Sequence, residues 1–304
     1  MEKFLVVVAG PTGVGKTAMA IQLARTLNTE VISADARQVY REMRIGVARP
    51  STAELNAVPH HLIAHRSILD RYDAASFAEE AHAVLEEIFN RTSAAVLCGG
   101  SGLYIRAMLE GFDQIPDVPQ TVHDQTVADY QQNGLSWLQR EVARNDPQWF
   151  SQADRENHRR LLRCLEVFRA TGKPLSSFQS GNKKSLPFQV IRIALERPRA
   201  DLYEMIDQRV DRMLEEGLWQ EAESLFPMRQ LQALRTVGYQ EIFDCLEGKI
   251  TREDAVRLIK QHTRNYAKRQ LTWFRGDGQY TWFSPEDESG ILNWISDQRK
   301  QSTD

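Results

Sequence analysis

Several residue types and patterns that mark particular protein classes are scarce in this sequence. Its 304 residues include three cysteines, Cys98, Cys164 and Cys245, which lie far apart and form no C-x-x-C pair. We therefore expect neither a zinc site nor a disulfide framework, and we expect the protein to be in a reducing compartment. No apolar run approaches the roughly 18 residues that a membrane span requires. We expect a cytoplasmic protein without membrane association.

Charge of one sign is not in excess either. The formal net charge is −3, so any affinity for nucleic acid must come from local basic patches rather than from overall attraction. The apolar share of 42% and the charged share of 26% are typical of an ordinary globular protein. The length allows one large domain or two modest ones.

The most informative segment is GPTGVGKT, residues 10–17, which follows the apolar run 4–9 directly. It matches G-x-x-x-x-G-K-[ST] between a predicted strand and a predicted helix. In such a loop the backbone N–H groups, the helix N-terminus and the Lys16 ammonium bind phosphate, and the Thr17 hydroxyl can bind Mg²⁺. A glycine-rich turn without a ligand is the alternative. We predict a site for a diphosphate or triphosphate at Gly10, Pro11, Thr12, Gly13, Val14, Gly15, Lys16 and Thr17.

A second predicted strand, residues 30–35, ends in Asp35. Ligands of open α/β sheets bind beyond the carboxyl ends of the strands, so Asp35 is expected to face the same crevice as Lys16. From spacing alone, a helix N-cap or a magnesium ligand is as well supported as a catalytic role.

An aspartate is missing from the end of another predicted strand, residues 94–98, where many NTPases carry one to hold magnesium. That strand is followed by Gly-Gly-Ser instead. The dipeptide patterns with which GTPases recognise guanine are not evident. ATPase-motor and GTPase functions are therefore disfavoured.

The fold class that these patterns predict is α/β. Residues 1–112 and 188–304 are predicted to form a P-loop NTPase-like parallel sheet flanked by helices, which also carries C-terminal RNA-binding helices. Residues 113–187 have helical periodicity and almost no β pattern, so they are predicted to be an inserted, mainly helical subdomain. Segments 112–119 and 181–187 are predicted to be its linkers.

Two predicted helices are rich in basic residues. In the helix predicted over 156–174, Arg155, Arg159 and Arg163 fall at i, i+4 and i+8 and share a face, with Arg160 adjacent. A solvated basic face is the alternative there. Segment 257–275 contains six Lys or Arg residues and no acidic residue. Four of its basic residues form a stripe on one helix face, and we expect no acidic side chains to neutralise it. Such a stripe would bind phosphates while the aromatic residues of the segment stack on bases. The residues of that stripe are Arg257, Lys260, Arg264 and Lys268.

Four motifs together resemble the bacterial tRNA dimethylallyltransferases, from about residue 4 to about residue 284. They are GPTGVGKT, SAD-x-x-QVY-x-x-M-x-IG-x-A-x-P, PHHL and GG-[ST]-x-LY. The resemblance implies transfer of a dimethylallyl group from dimethylallyl diphosphate to N6 of the adenosine on the 3′ side of the anticodon. It implies Mg²⁺ as cofactor and the anticodon stem-loop of tRNA as partner, and we expect a monomer.

The resemblance also implies roles for individual residues. Asp35 matches the catalytic aspartate, Arg209 matches an arginine directed at the diphosphate, and Lys16 and Ser101 complete the expected catalytic set. Ala36, Val47, Arg49, Ser101 and His123 depart from the family pattern, which leaves details of base recognition open. The implied tRNA contacts are Asp35, Ala36, Arg37, Gln38, Ser101, His123, Arg159, Arg160, Arg163, Arg235, Gly238, Tyr239, Lys268, Arg269, Trp273 and Arg275.

Three other functions remain as alternatives. A P-loop kinase of a nucleotide or small metabolite would use the arginine-bearing insertion as a lid. A prenyltransferase acting on free adenine nucleotide would not need so long a basic surface. A non-enzymatic RNA-binding protein would leave Lys16 and Asp35 without a role.

Overall fold

The central strand, β1, explains why two layers of helices cover one sheet. All six of its residues, Phe4–Ala9, are buried. Side chains of a strand alternate between its faces. Accordingly, Phe4, Val6 and Val8 pack into the core on one side of the sheet, and Leu5, Val7 and Ala9 pack into the core on the other.

The computed structural model describes residues 2–111, 113, 115–179 and 185–301. Its sheet has six strands, all parallel, in the order β3-β2-β4-β1-β5-β6. Strand order reverses next to β1, so the carboxyl end of β1 is where a ligand crevice is expected. The strands are β1 (Phe4–Ala9), β2 (Val31–Ser33), β3 (His60–His61), β4 (Ala94–Cys98), β5 (Gln189–Leu195) and β6 (Thr281–Phe283).

The described residues fall into two compact units, one formed from 1–110 and 185–304 and the other from 111–184. The first unit contains the sheet, and its parallel α/β architecture confirms the predicted fold class. Its helices are α1 (Lys16–Thr26), α2 (Thr52–Ala57), α3 (Ala74–Phe89), α4 (Gly102–Glu110), α8 (Arg199–Glu215), α9 (Leu218–Leu225), α10 (Tyr239–Leu246), α11 (Arg252–Asp277) and α12 (Glu288–Gln301).

The second unit is helical, with α5 (Gln120–Asn145), α6 (Pro147–Gln152) and α7 (His158–Thr171). Leu138, Val142 and Leu161 belong to its own core. The segments predicted as linkers, 112–119 and 181–187, include residues 112, 114 and 181–184, which lie outside the described residues.

The start of α7 corrects one prediction. Asn157 caps this helix by accepting a hydrogen bond from the Arg160 N–H, so the helix begins at His158 rather than at 156. Arg155 therefore precedes the helix and does not share a face with Arg159 and Arg163. At the other end, Gly172 closes the helix in the left-handed conformation, as its position predicted. Within the described residues, no helix combines the length and apolar character needed to cross a bilayer.

Candidate active site

Residues 10–17 connect the end of β1 to the start of α1, and three glycines of this loop, Gly10, Gly13 and Gly15, have positive φ. Gly10 has φ of +141°, and a Cβ there would lie 2.7 Å from the Leu195 carbonyl oxygen on β5. Gly15 has φ of +108° and precedes Lys16, the first residue of α1. The free N–H groups of the α1 N-terminus thus lie at the carboxyl end of the central strand, an arrangement that favours anion binding.

Lys16 lies at the centre of this site. Its Nζ donates a hydrogen bond to the Pro11 carbonyl oxygen at 2.7 Å, which holds the ammonium over the 10–17 loop. The pKa of Lys16 is lowered to about 8, mainly by burial; nearby Cys98 and Asp35 oppose this shift, and Arg209 adds to it. A buried, poorly solvated cation of this kind favours an incoming anion.

Arg209 reaches the same loop from α8, almost 200 residues further along the chain. Its Nη1 lies 3.4 Å from Thr12 Oγ1 and its Nη2 lies 3.4 Å from the Ala48 carbonyl oxygen. Burial lowers the pKa of Arg209, although nearby Asp35 opposes the shift. Two cations, Lys16 and Arg209, therefore face one small space.

Asp35 lies just beyond β2, and its two carboxylate oxygens differ. Oδ1 accepts hydrogen bonds from the backbone N–H groups of Arg37 and Gln38, at 2.8 and 3.2 Å. Oδ2 has no hydrogen-bond donor among the described residues. One oxygen thus caps a local turn rather than the helix that the N-cap alternative supposed, and the other is available for chemistry.

Ser101 connects the Asp35 segment to the turn after β4. Its Oγ accepts a hydrogen bond from the Ala36 N–H at 2.9 Å, and it also hydrogen bonds with the side chain of Tyr266. The Arg37 guanidinium donates to the carbonyl oxygens of Gln232 and Ala233. Ser101 and Arg37 therefore fix the backbone around Asp35.

A cavity of about 320 Å³ unites most of the predicted catalytic and diphosphate-binding residues. Gly10, Pro11 and Val14 are buried behind its surface as the framework of the loop. The predicted residues that line the cavity are Thr12, Gly13, Gly15, Lys16, Thr17, Asp35, Gln38 and Arg209.

The cavity is also lined by residues that the sequence patterns did not assign to it, among them His60, Cys98, Tyr266 and Gln270. Tyr266 and Gln270 belong to α11, within the segment predicted from its basic composition to bind RNA. Their spacing of four residues on a helix was the one signal that they share a face.

The basic surface of α11 is smaller than predicted. The sequence predicts a stripe of four basic residues without acidic partners, but three of the four form ion pairs. Two of these pairs are with acids of α8, about 50 residues away in sequence. Lys268 has no such pair within the described part of the chain. The three pairs are Arg257 with Asp254 at 2.9 Å, Lys260 with Asp211 at 2.6 Å and Arg264 with Asp207 at 2.5 Å.

The part of the basic surface that is not neutralised by these ion pairs lies near the carboxyl end of α11. Lys268, Arg269 and Trp273 are exposed and border a shallow groove with Asn265 and Thr272. This surface combines two cations with an exposed indole, which suits phosphates and unpaired bases.

The other predicted tRNA-binding residues of the first unit differ in exposure. Arg235 is exposed, and Arg275 is exposed but pairs with Glu196 at 2.9 Å. Gly238 and Tyr239 are buried, and Tyr239 has no exposed surface. The Tyr239 side chain therefore cannot touch RNA in this conformation.

In the second unit, the predicted tRNA-binding residues are all exposed. His123 Nδ1 lies 2.8 Å from Glu166 Oε1. The Arg160 guanidinium lies 5.8 Å from the Trp149 ring centroid. Arg159 and Arg163 lie on α7 four residues apart, so they share one face.

Comparison with known proteins agrees with these features. Residues 38–277 match the model of the IPP transferase family. The chain is 43% identical over 295 residues to a tRNA dimethylallyltransferase of Cytophaga hutchinsonii, covering 97% of each chain. It is 43% identical over 296 residues to one of Christiangramia forsetii, covering 97% of this chain and 98% of that one.

Solved structures give the same result. The full-length tRNA isopentenylpyrophosphate transferase of Bacillus halodurans is similar with a TM-score of 0.72 and 34% identity, over 100% of both chains. A eukaryotic dimethylallyltransferase acting on tRNA has a TM-score of 0.78 and 26% identity, over 99% of this chain and 77% of that one. The family match spans most of the sequence and the relatives match it end to end, so this chain belongs to the IPP transferase family, the tRNA dimethylallyltransferases.

Proposed function

We propose that this protein transfers a dimethylallyl group from dimethylallyl diphosphate to N6 of the adenosine on the 3′ side of the anticodon in tRNA, releasing diphosphate. One observation carries the proposal: a single cavity contains two cations, Lys16 and Arg209, beside the carboxylate of Asp35. The cations suit a diphosphate leaving group, and the carboxylate suits the amine that replaces it.

The diphosphate half of the reaction uses the 10–17 loop. As the bond between the allylic carbon and the diphosphate oxygen breaks, negative charge grows on the leaving oxygens. Lys16, Arg209 and the N–H groups at the start of α1 are already positioned to stabilise that charge, so little reorganisation is needed. The Thr12 hydroxyl, next to Arg209 Nη1, adds a further donor.

The acceptor half uses Asp35. The exocyclic amine of adenine is a weak nucleophile, because its lone pair is delocalised into the ring. As the new C–N bond forms, N6 must lose a proton, and Asp35 Oδ2 is the oxygen that can take it. Oδ1 meanwhile keeps its two backbone hydrogen bonds, which hold the carboxylate in place.

The tRNA half of the proposal rests on surface chemistry. Lys268 and Arg269 supply positive charge, and Trp273, which is 41% exposed, supplies a face on which a base can stack. The target adenine must leave its stack to enter the cavity, so the reaction includes base flipping. Tyr266 and Gln270 line the cavity from the same helix, which brings the cavity close to this surface.

The residues present also fit a magnesium ion. Thr17 and Asp35 both line the cavity, and their oxygens are of the type that Mg²⁺ prefers. No group of three His, Cys, Asp or Glu side chains in the described residues could hold a metal alone. We therefore propose that the Thr17 hydroxyl and the substrate phosphates bind the ion. When bound, it neutralises charge on the diphosphate. We also propose that the enzyme acts as a monomer in the cytoplasm.

A transfer assay tests this function against its alternatives. The purified protein is incubated with Mg²⁺, dimethylallyl diphosphate and either unmodified tRNA or AMP, and the products are analysed by mass spectrometry. We expect prenylated adenosine in the tRNA and none in the AMP. A parallel incubation replaces the prenyl donor with ATP. Phosphate transfer or ATP turnover without prenylation would contradict the proposal in favour of a kinase.

A further inference from the structure

Gln270 is the residue through which α11 contacts the 10–17 loop. Its side chain is only 6% exposed, although its neighbours Lys268 and Arg269 are on the surface. The side-chain Oε1 accepts a hydrogen bond from the Thr12 backbone N–H at 2.8 Å. The Nε2 donates one to the Gly100 carbonyl oxygen at 2.9 Å. One amide thus connects three separate segments of the chain.

The space around this amide is closely fitted. A Cβ on Gly100 would lie 2.3 Å from Gln270 Nε2, so the amide can approach only because residue 100 is a glycine. Thr12 follows β1, and Gly100 follows β4, which is the neighbouring strand. Gln270 therefore bridges the carboxyl ends of two adjacent strands at the edge where the cavity lies.

This contact also changes which donors the 10–17 loop can offer. Because Gln270 occupies the Thr12 N–H, that group is not available to a phosphate. The side chain of Thr12 is also held, because Arg209 Nη1 lies 3.4 Å from Thr12 Oγ1. Thr12 is thus fixed between Gln270 and Arg209, and the backbone N–H donors left for an anion are those nearer the start of α1.

We propose that Gln270 is a positioning residue for the diphosphate half of the reaction. It sets the conformation of the loop at Thr12, so that the remaining N–H groups, Lys16 and Arg209 converge on one diphosphate. This inference rests on the proposed function, because it assigns the cavity to a diphosphate leaving group. It gives α11 a second role: the helix carries RNA-binding residues outside and a support for the loop inside.

The test compares two identical substitutions on one helix. Gln270→Met keeps the length and volume of the side chain but removes both hydrogen bonds, and Gln261→Met changes an exposed glutamine of α11 as the control. Binding of inorganic diphosphate with Mg²⁺ is measured by calorimetry. We expect Gln270→Met to weaken it about tenfold, the factor that corresponds to a lost hydrogen bond of ordinary strength. The KM for dimethylallyl diphosphate should rise by a similar factor, while the Kd for tRNA is unchanged in both variants.

Gly100→Ala supplies a second test that retains the glutamine. The new methyl group must displace the Gln270 amide, so the same loss of diphosphate affinity is expected, and this variant decides the question if Gln270→Met does not fold. Unchanged diphosphate binding in the folded variants, or an equal loss of tRNA binding, would overturn the positioning role. If the wild type binds diphosphate but transfers no prenyl group, the proposed function fails, and the calorimetric comparison still decides the role of Gln270.

Discussion

The hydroxyl of Tyr239 donates a hydrogen bond to Glu221 Oε1 at 2.6 Å. The same carboxylate accepts the backbone N–H groups of Arg44, Ile45 and Gly46, at 3.1, 2.8 and 2.9 Å. Burial, followed by the neighbouring Glu221, raises the pKa of Tyr239, so the phenol stays protonated and remains a donor. This pair therefore holds the loop before Ala48, whose carbonyl oxygen contacts Arg209 and Gln38.

Replacing Tyr239 by phenylalanine tests whether this residue is structural. We expect the free energy of unfolding to fall by about 1–2 kcal/mol, because Glu221 loses one donor in a partly buried site. Urea denaturation measures the change. The Kd for tRNA should stay the same, since Tyr239 has no exposed surface. Weaker tRNA binding at unchanged stability would instead support the direct contact that the family resemblance implies.

The lowered pKa of Lys16 predicts a pH dependence of diphosphate binding. In the free protein the ammonium loses its proton as pH rises through about 8. A bound diphosphate favours the charged form, so affinity should fall above pH 8 by about tenfold per unit, with proton uptake on binding. Calorimetry between pH 7 and 9.5 measures both.

Lys16→Met provides the control for this pH profile, because diphosphate itself also titrates. The variant should bind more weakly and lack the component near pH 8. Identical profiles for both proteins would contradict the assignment. In the absence of ligand, the lowered pKa of Lys16 acts in the opposite direction on folding: stability increases with pH, whereas diphosphate affinity decreases. The unfolded chain holds the proton up to about 10.5, so this group makes folding more favourable as pH rises between about 8 and 10.5.

The ion pairs on α11 predict which of its lysines bind tRNA. Lys268→Ala should weaken binding across tRNAs and reduce the slope of log K against log salt by about 1, because one phosphate contact is lost. Lys260→Ala is the matched control, since that lysine is paired with Asp211 at 2.6 Å. Filter binding at several salt concentrations measures the slopes. Equal effects of the two substitutions would show that the whole stripe contacts RNA.

Local patterns predicted the elements that build the cavity. The 10–17 loop and Asp35 could be identified because each is specified by neighbouring residues: glycines between a strand and a helix, and a carboxylate at a strand end. The all-buried β1 was visible as a continuous apolar run for the same reason. These features depend on chain segments shorter than about 10 residues, in which side-chain periodicity decides the structure.

Contacts between distant segments could not be predicted in this way. The acids that neutralise Lys260 and Arg264 are on α8, and nothing in the 257–275 segment indicates them. The inward orientation of Gln270 depends on how α11 packs against α8, α10 and α4. Tyr239 lies in a motif that suggested RNA contact, but its position was decided by Glu221 and by the space at Gly46, where a Cβ would lie 2.6 Å from the ring.

The most direct test of the account is the substitution Asp35→Asn. The amide oxygen can keep the hydrogen bonds from the Arg37 and Gln38 N–H groups, while the oxygen that accepts the N6 proton becomes an NH₂ group. Single-turnover prenyl transfer to unmodified tRNA is measured beside the Kd for tRNA and for inorganic diphosphate. We predict that the transfer rate falls by about 100- to 10,000-fold with both binding constants unchanged. A transfer rate equal to that of the wild type, or a matching loss of tRNA binding, would contradict the role of Asp35 as the base.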